Sequence, residues 1–165
     1  MSLLDVRDLH MYYATQGNPV RAVDGISFQM ETGQALGIVG ESGSGKTSLT
    51  LALMRLLPKN ATGYRGEVIL DGNNIMELPA EEFRRLVRWR KLSMVFQGAM
   101  SSLNPVLKVG HQVAEPFLVE NKGQKKLAQE RVLQLFDLVQ LPEETVNRYP
   151  HELSGGMKQR VMIAM

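Results

Sequence analysis

Residues 40–47 read Gly-Glu-Ser-Gly-Ser-Gly-Lys-Thr, a complete G-x-x-x-x-G-K-[ST] pattern between an apolar run and a helical one. Ala35-Leu36-Gly37-Ile38-Val39 has the composition of a short buried strand. From Lys46 to Leu57, leucines and Met54 recur at helical intervals until Pro58 stops them. The pattern therefore predicts a strand-to-helix turn. Gly40, Gly43 and Gly45 permit positive φ and close backbone approach, so that Glu41, Ser42, Ser44 and their glycine neighbours can aim successive N–H groups at phosphate oxygens. The positive end of the helix adds to the same field. In that arrangement Lys46 reaches the β- and γ-phosphates of a nucleoside triphosphate. The Thr47 hydroxyl is a ligand for Mg²⁺, and Ser48 lies beside the α-phosphate region. A chance Gly/Ser turn with a surface lysine would match the four fixed positions in on the order of one chain in a few hundred.

The 165 residues amount to one domain or part of a large one. With 44% hydrophobic and 22% charged residues the chain can bury a core, and with no cysteine it has neither disulfides nor thiolate metal ligands. The net charge of +2 is too small to argue for nucleic acid. No apolar run approaches the roughly 20 residues of a membrane span, and the first residues lack a signal-peptide pattern, so the cytoplasm is the expected compartment.

Leu4–Leu9 and Ala22–Met30 read as an antiparallel strand pair around the turn cluster 15–19. A loop through Gly63 and Gly66 leads to a strand at 67–70 that ends in Asp71-Gly72. Asp71 imitates the Mg²⁺ carboxylate that follows an apolar strand in phosphate-loop enzymes, but a hairpin turn is the better reading. Pro79, Glu81 and Glu82 open a helix expected to run to Lys91; its basic stretch 84–91 reads as a solvated face. Leu92–Gln97 reads as a buried strand. Beyond it come a helical segment from Val109 to Val119 interrupted by Pro116, a polar break at 121–124 and a helix from Lys125 to Gln140. His10, His111 and His151 show no metal-ligand spacing. Ser154-Gly155-Gly156 then opens a last helix, with Ser154 as N-cap and the glycine amides uncovered, as a second anion site.

Together these motifs resemble the nucleotide-binding domain of ABC transporters over nearly the whole chain. Leu153-Ser154-Gly155-Gly156 resembles the family's signature, Gln97 the glutamine of its Q-loop, and Tyr13 falls where the family places an aromatic residue that stacks on adenine. Met157 departs from the commoner glutamine. The stretches 96–105 and 155–160 are similar to the ATPase subunits of oligopeptide and dipeptide importers, and of related nickel importers.

The resemblance implies an α/β P-loop NTPase fold: a RecA-like core, an N-terminal antiparallel β subdomain and a helical insert. The implied boundaries are residues 1–97, 98–152 and 153–165. It implies ATP and Mg²⁺ as ligands, Gln97 as a metal-side and catalytic sensor beside Lys46, and a head-to-tail pair in which the signature of one subunit closes the phosphate loop of another. It further implies transmembrane permease subunits and, indirectly, a solute-binding protein as partners, no nucleic acid, and a place at the cytoplasmic face of the membrane. The family continues past the signature into a strand ending in Asp-Glu and then a switch histidine, which this chain lacks. The expectation is an N-terminal fragment that binds Mg-ATP weakly and turns it over negligibly. The alternatives are a non-transport ABC ATPase of DNA repair or translation, and a module that only holds nucleotide.

Overall fold

The computed structural model describes residues 2–96 and 98–165, which form two compact units divided between Met94 and Val95. The first is built on an antiparallel sheet of order β2-β1-β3-β4, with β1 at Ser2–Tyr13, β2 at Val20–Glu31, β3 at Ala61–Leu70 and β4 at Asn73–Asn74. The expected pairing of the first two strands is present, with Leu4 opposite Met30, Val6 opposite Phe28 and Met11 opposite Val23. Leu4, Val6, Leu9, Met11, Val23, Val68 and Leu70 bury one apolar cluster. Leu49 and Ala52 of α1 (Lys46–Leu53) and Phe83 of α2 (Ala80–Leu86) join the same cluster.

Strict alternation fails in β1 because Val6 and Leu9 are both buried. The strand bulges at Asp8, whose φ is +46°, and the pairing slips between Val6 and Leu9. Facing the bulge on β3 is Gly66, at φ +118°, where a Cβ would lie 2.5 Å from the Asp8 carbonyl oxygen and 2.7 Å from the Leu9 Cα. Gly63 sits equally tight on the Tyr12 ring, at 2.7 Å. Residues 61–66, expected as a loop, are therefore strand, and their glycines are there for close approach. The expected hairpin is present: β3 turns through Asp71 and Gly72 into β4, and Asp71 pairs with Lys91 at 2.6 Å.

Two predicted strands are not strands here. Residues 35–39 carry no strand, and Leu36, Ile38 and Val39 are exposed. After an isolated Arg88–Leu92 bridge, residues 93–96 are likewise unpaired, with Val95 and Phe96 exposed. Runs of this composition form strands buried on both faces of a parallel sheet, and among the described residues no strand lies alongside to pair with them.

Helix ends differ too. α1 stops at Leu53, with Arg55 in left-handed backbone at φ +49°, and α2 stops at Leu86. A tight turn follows α2, in which the Val87 carbonyl accepts from Arg90, Lys91 and Leu92 and Trp89 takes φ +66°.

The second unit packs α3 (Val109–Glu120), α4 (Lys125–Leu138) and α5 (Gly155–Ala164) around Val109, Val113, Ala128, Val132, Phe136, Leu153 and Val161. Pro116 does not interrupt α3, which runs through it. The backbone acceptor forfeited by Pro116 is the carbonyl of Gln112. The buried Gln112 side chain clamps the preceding loop: its Oε1 accepts from the Asn104 amide at 2.8 Å, and its Nε2 donates to the carbonyls of Asn104 and Leu107. Gly110 lies so close to Val146 that a Cβ would meet Val146 Cγ1 at 2.4 Å.

Candidate functional site

The phosphate-loop motif forms the turn its glycines permit. Gly43 and Gly45 take φ +84° and +91°, Ser44 N–H bonds to the Glu41 carbonyl, and Gly45 is the N-cap of α1. The first-turn amides of α1 have no intrahelical acceptors and stand free for an anion. Gly45 is required by its neighbour as well as by its φ, since a Cβ there would lie 2.1 Å from the Ala22 carbonyl oxygen of β2. That carbonyl carries no sequence signal, because any residue at 22 supplies one.

The Lys46 ammonium folds over the loop, donating to the Gly40 and Glu41 carbonyls at 2.8 and 2.6 Å and to Ser44 Oγ at 3.3 Å. The loop thus brings the Lys46 ammonium together with the backbone of exposed Gly40, Glu41, Ser42, Gly43 and Ser44. Thr47 is exposed at the second position of α1. Backbone amides beside an ammonium are groups that suit phosphate oxygens, and Thr47 brings a hydroxyl of the kind that ligates Mg²⁺.

Ser48 and Tyr13 come together: the phenol and the Ser48 hydroxyl are 3.0 Å apart, joining the end of β1 to the first turn of α1. Tyr64 braces the other end of that helix, its hydroxyl donating to the Ala52 carbonyl at 2.9 Å, and burial pushes its phenol pKa up. Asp71 lies in the β3–β4 hairpin turn, ion-paired with Lys91. Gln97 lies outside the described residues.

A cluster that the sequence did not point to sits on the β1–β2 hairpin. His10 Nε2 contacts Asp8 and its Nδ1 contacts Asp24, both at 2.9 Å, and the Tyr12 hydroxyl donates to Asp24 at 2.5 Å. That hydrogen bond holds the Asp24 carboxyl below its ordinary pKa, with His10 and Arg21 acting in the same direction against partial desolvation. His111 and His151 are exposed, and His151 stacks on Tyr149. Among the described residues no group of three or more acidic or imidazole side chains is disposed to hold a metal, and no helix is long and apolar enough to cross a membrane.

In the second unit Ser154 caps α5, its Oγ accepting from the Met157 amide at 3.3 Å. Gly155 and Gly156 follow, exposed, with nothing within 4 Å of where a Cβ would stand. The approach is fixed by Glu152, whose carboxylate accepts from the Tyr149 amide at 2.6 Å. The expected cap and uncovered helix start are both present.

The dipeptide transport ATP-binding protein DppD of Lactococcus lactis subsp. cremoris is 45% identical over 166 residues, covering 99% of this chain and 47% of that protein. The oligopeptide transport ATP-binding protein OppD of Bacillus subtilis is 44% identical over 167 residues, covering 99% and 46%. The chain therefore spans about half the length of the curated relatives it matches. Among solved structures, a dimeric bacterial ABC transporter cassette superposes with a TM-score of 0.78 at 27% identity, covering 98% of this chain and 67% of that one. A dimeric ATP-binding cassette in a post-hydrolysis state, bound to ADP and Pi, gives 0.76 at 26% identity with the same coverage. The fold is thus the α/β, RecA-like ABC ATPase core with an N-terminal antiparallel sheet and a helical insert. The profile described as ABC transporter matches residues 23–165, and the chain belongs to that family.

Proposed function

We propose that this chain is the nucleotide-binding part of an ATPase subunit that powers import of peptides or related small solutes through a membrane permease. ATP is bound and hydrolysed in a head-to-tail dimer at the cytoplasmic face of the membrane. The observation that carries the reading is the phosphate loop: a glycine-built turn at the start of α1, with the Lys46 ammonium lying across it. The peptide class rests on the similarity to peptide-transport ATP-binding proteins. The solute itself is selected by other subunits.

Within this reading the amides of residues 40–47 hold the phosphate oxygens. Lys46 leaves the Gly40 and Glu41 carbonyls to meet the β- and γ-phosphates. Tyr13 offers its ring to adenine. Thr47 and Gln97 would hold Mg²⁺, which would supply charge neutralisation at the phosphate oxygens. Ser154, Gly155 and Gly156 present the start of α5 to the nucleotide of a second ATP-binding subunit. Residues 1–97, 98–152 and 153–165 act as β subdomain with core, helical subdomain and signature. The basic stretch 84–91 does not favour a nucleic-acid role: Arg84 pairs with Glu81, Lys91 pairs with Asp71, and Arg88 donates to the Arg55 carbonyl.

Calorimetric titration with Mg-ATP and Mg-ADP tests the site. Lys46→Ala should weaken the triphosphate more than the diphosphate, whereas equal losses would remove Lys46 from the γ-phosphate. Copurification with membrane permease subunits tests the transport assignment.

A further inference from the structure

We infer that Ser48 is a positioning residue for nucleotide selectivity: through its hydrogen bond to the Tyr13 phenol it ties the aromatic ring at the end of β1 to the helix that grips phosphate. This rests on the nucleotide-binding reading above and deepens it.

The geometry comes from three contacts within the first unit. The phenol and Ser48 Oγ are 3.0 Å apart, and Ser48 is the third residue of α1, two positions after Lys46. Tyr13 packs against the core and is only partly buried. On the neighbouring strand the Ala22 carbonyl abuts Gly45 so closely that no side chain fits between them. The β1–β2 hairpin therefore touches the phosphate grip at two points. One is a backbone packing contact common to any sequence that keeps Gly45. The other is a side-chain hydrogen bond that this sequence supplies.

A ring on the last residue of a strand has freedom about χ1 and χ2, and the strand ends at Tyr13 before the 14–19 turn. Fixing the phenol at its far end removes that freedom before any ligand arrives, so a flat base leaving the phosphate loop meets a pre-placed surface. The contribution of this tether to binding is felt only by ligands that carry a base.

The experiment compares Mg-ATP with Mg-tripolyphosphate, which keeps the phosphates and lacks the base, by calorimetry on the purified protein. Tyr13→Phe keeps the ring and loses the tether; Ser48→Ala loses it from the other side. Each should weaken ATP about three- to tenfold, the range of one hydrogen bond, and Tyr13→Phe, which leaves every phosphate-side group in place, should leave tripolyphosphate within about twofold. The double variant should be no weaker than the worse single one, and Ser48→Thr, which keeps the hydroxyl, should restore ATP binding. Equal losses for the two ligands in Tyr13→Phe would make the contact a mere brace of α1 and overturn the inference, as would unchanged ATP affinity in both variants. If the unsubstituted protein bound neither ligand, the nucleotide reading itself would fall, an outcome distinct from failure of the tether.

Discussion

Replacing Gly45 by alanine puts a methyl group into a space already occupied by backbone. Its Cβ would stand 2.1 Å from the Ala22 carbonyl oxygen and 3.3 Å from the carbonyl carbon, and the residue would have to keep φ +91°. Gly43 provides the control, because its φ of +84° is nearly the same while nothing lies within 4 Å of the added Cβ. Left-handed backbone costs an L-residue about 1–2 kcal/mol, and both variants share that cost. Both also share the opposing loss of unfolded-chain entropy, roughly 0.4–1 kcal/mol. Only Gly45→Ala adds the overlap, and forcing an extra methyl into packed surroundings costs about 1–3 kcal/mol. The difference between the variants should therefore be about 1–3 kcal/mol. At a urea slope of about 2 kcal/mol/M this moves the unfolding midpoint of Gly45→Ala below that of Gly43→Ala by roughly 0.5–1.5 M. Circular dichroism during urea unfolding reads it directly. Coincident midpoints would mean that Ala22 yields without cost and that β2 does not brace the phosphate loop.

Ser154→Ala removes the N-cap of α5 and should cost about 1 kcal/mol, while Ser154→Asp should not; thermal unfolding of both variants checks this. Gln112→Ala takes the partner from the Asn104 amide and one donor each from the Asn104 and Leu107 carbonyls, so that a loss of about 1–3 kcal/mol and faster amide exchange at Asn104 are expected. Asp24 has its pKa lowered in the fold, first by the Tyr12 hydroxyl, so its contribution to stability is complete above the ordinary carboxylate pKa. That contribution is lost as pH falls through the lowered value. Tyr12→Phe should flatten this acid-side part of the stability profile and leave the profile above pH ~5 parallel to the original, as acid titration of the melting temperature would show.

The elements legible in the sequence are those whose cause is local. Gly40–Thr47 carries its turn, its cation and its helix start within eight consecutive residues, and the α1 N-terminus stands where the motif puts it. Ser154 likewise caps the helix that begins at the next residue. The Tyr13–Ser48 contact spans 35 positions, and each residue alone reads as something else, Tyr13 by resemblance as an adenine-stacking ring and Ser48 as a hydroxyl beside the α-phosphate. The Asp8–His10–Asp24 cluster was hidden for a related reason: it needs the β1–β2 pairing and the bulge at Asp8 before its side chains meet.

Where local reasoning failed, it failed over residues whose conformation is decided by a neighbour. Residues 35–39 have the composition of a strand buried on both faces, but a strand is a relation between two segments, and without a paired partner its apolar side chains stand exposed. Gly63 and Gly66 show the converse. In isolation glycine argues for a loop, because it weakens a strand by its entropy. Here Tyr12 and the Asp8–Leu9 backbone press so closely on β3 that any Cβ would collide, so the glycines permit the pairing they would otherwise disfavour. Replacing Gly66 by alanine should accordingly destabilise the first unit by more than Gly72→Ala, since Gly72 also has positive φ but nothing within 4 Å. The same residue type thus ends a strand in one place and is required by it in another, and only the segment across the sheet distinguishes the two.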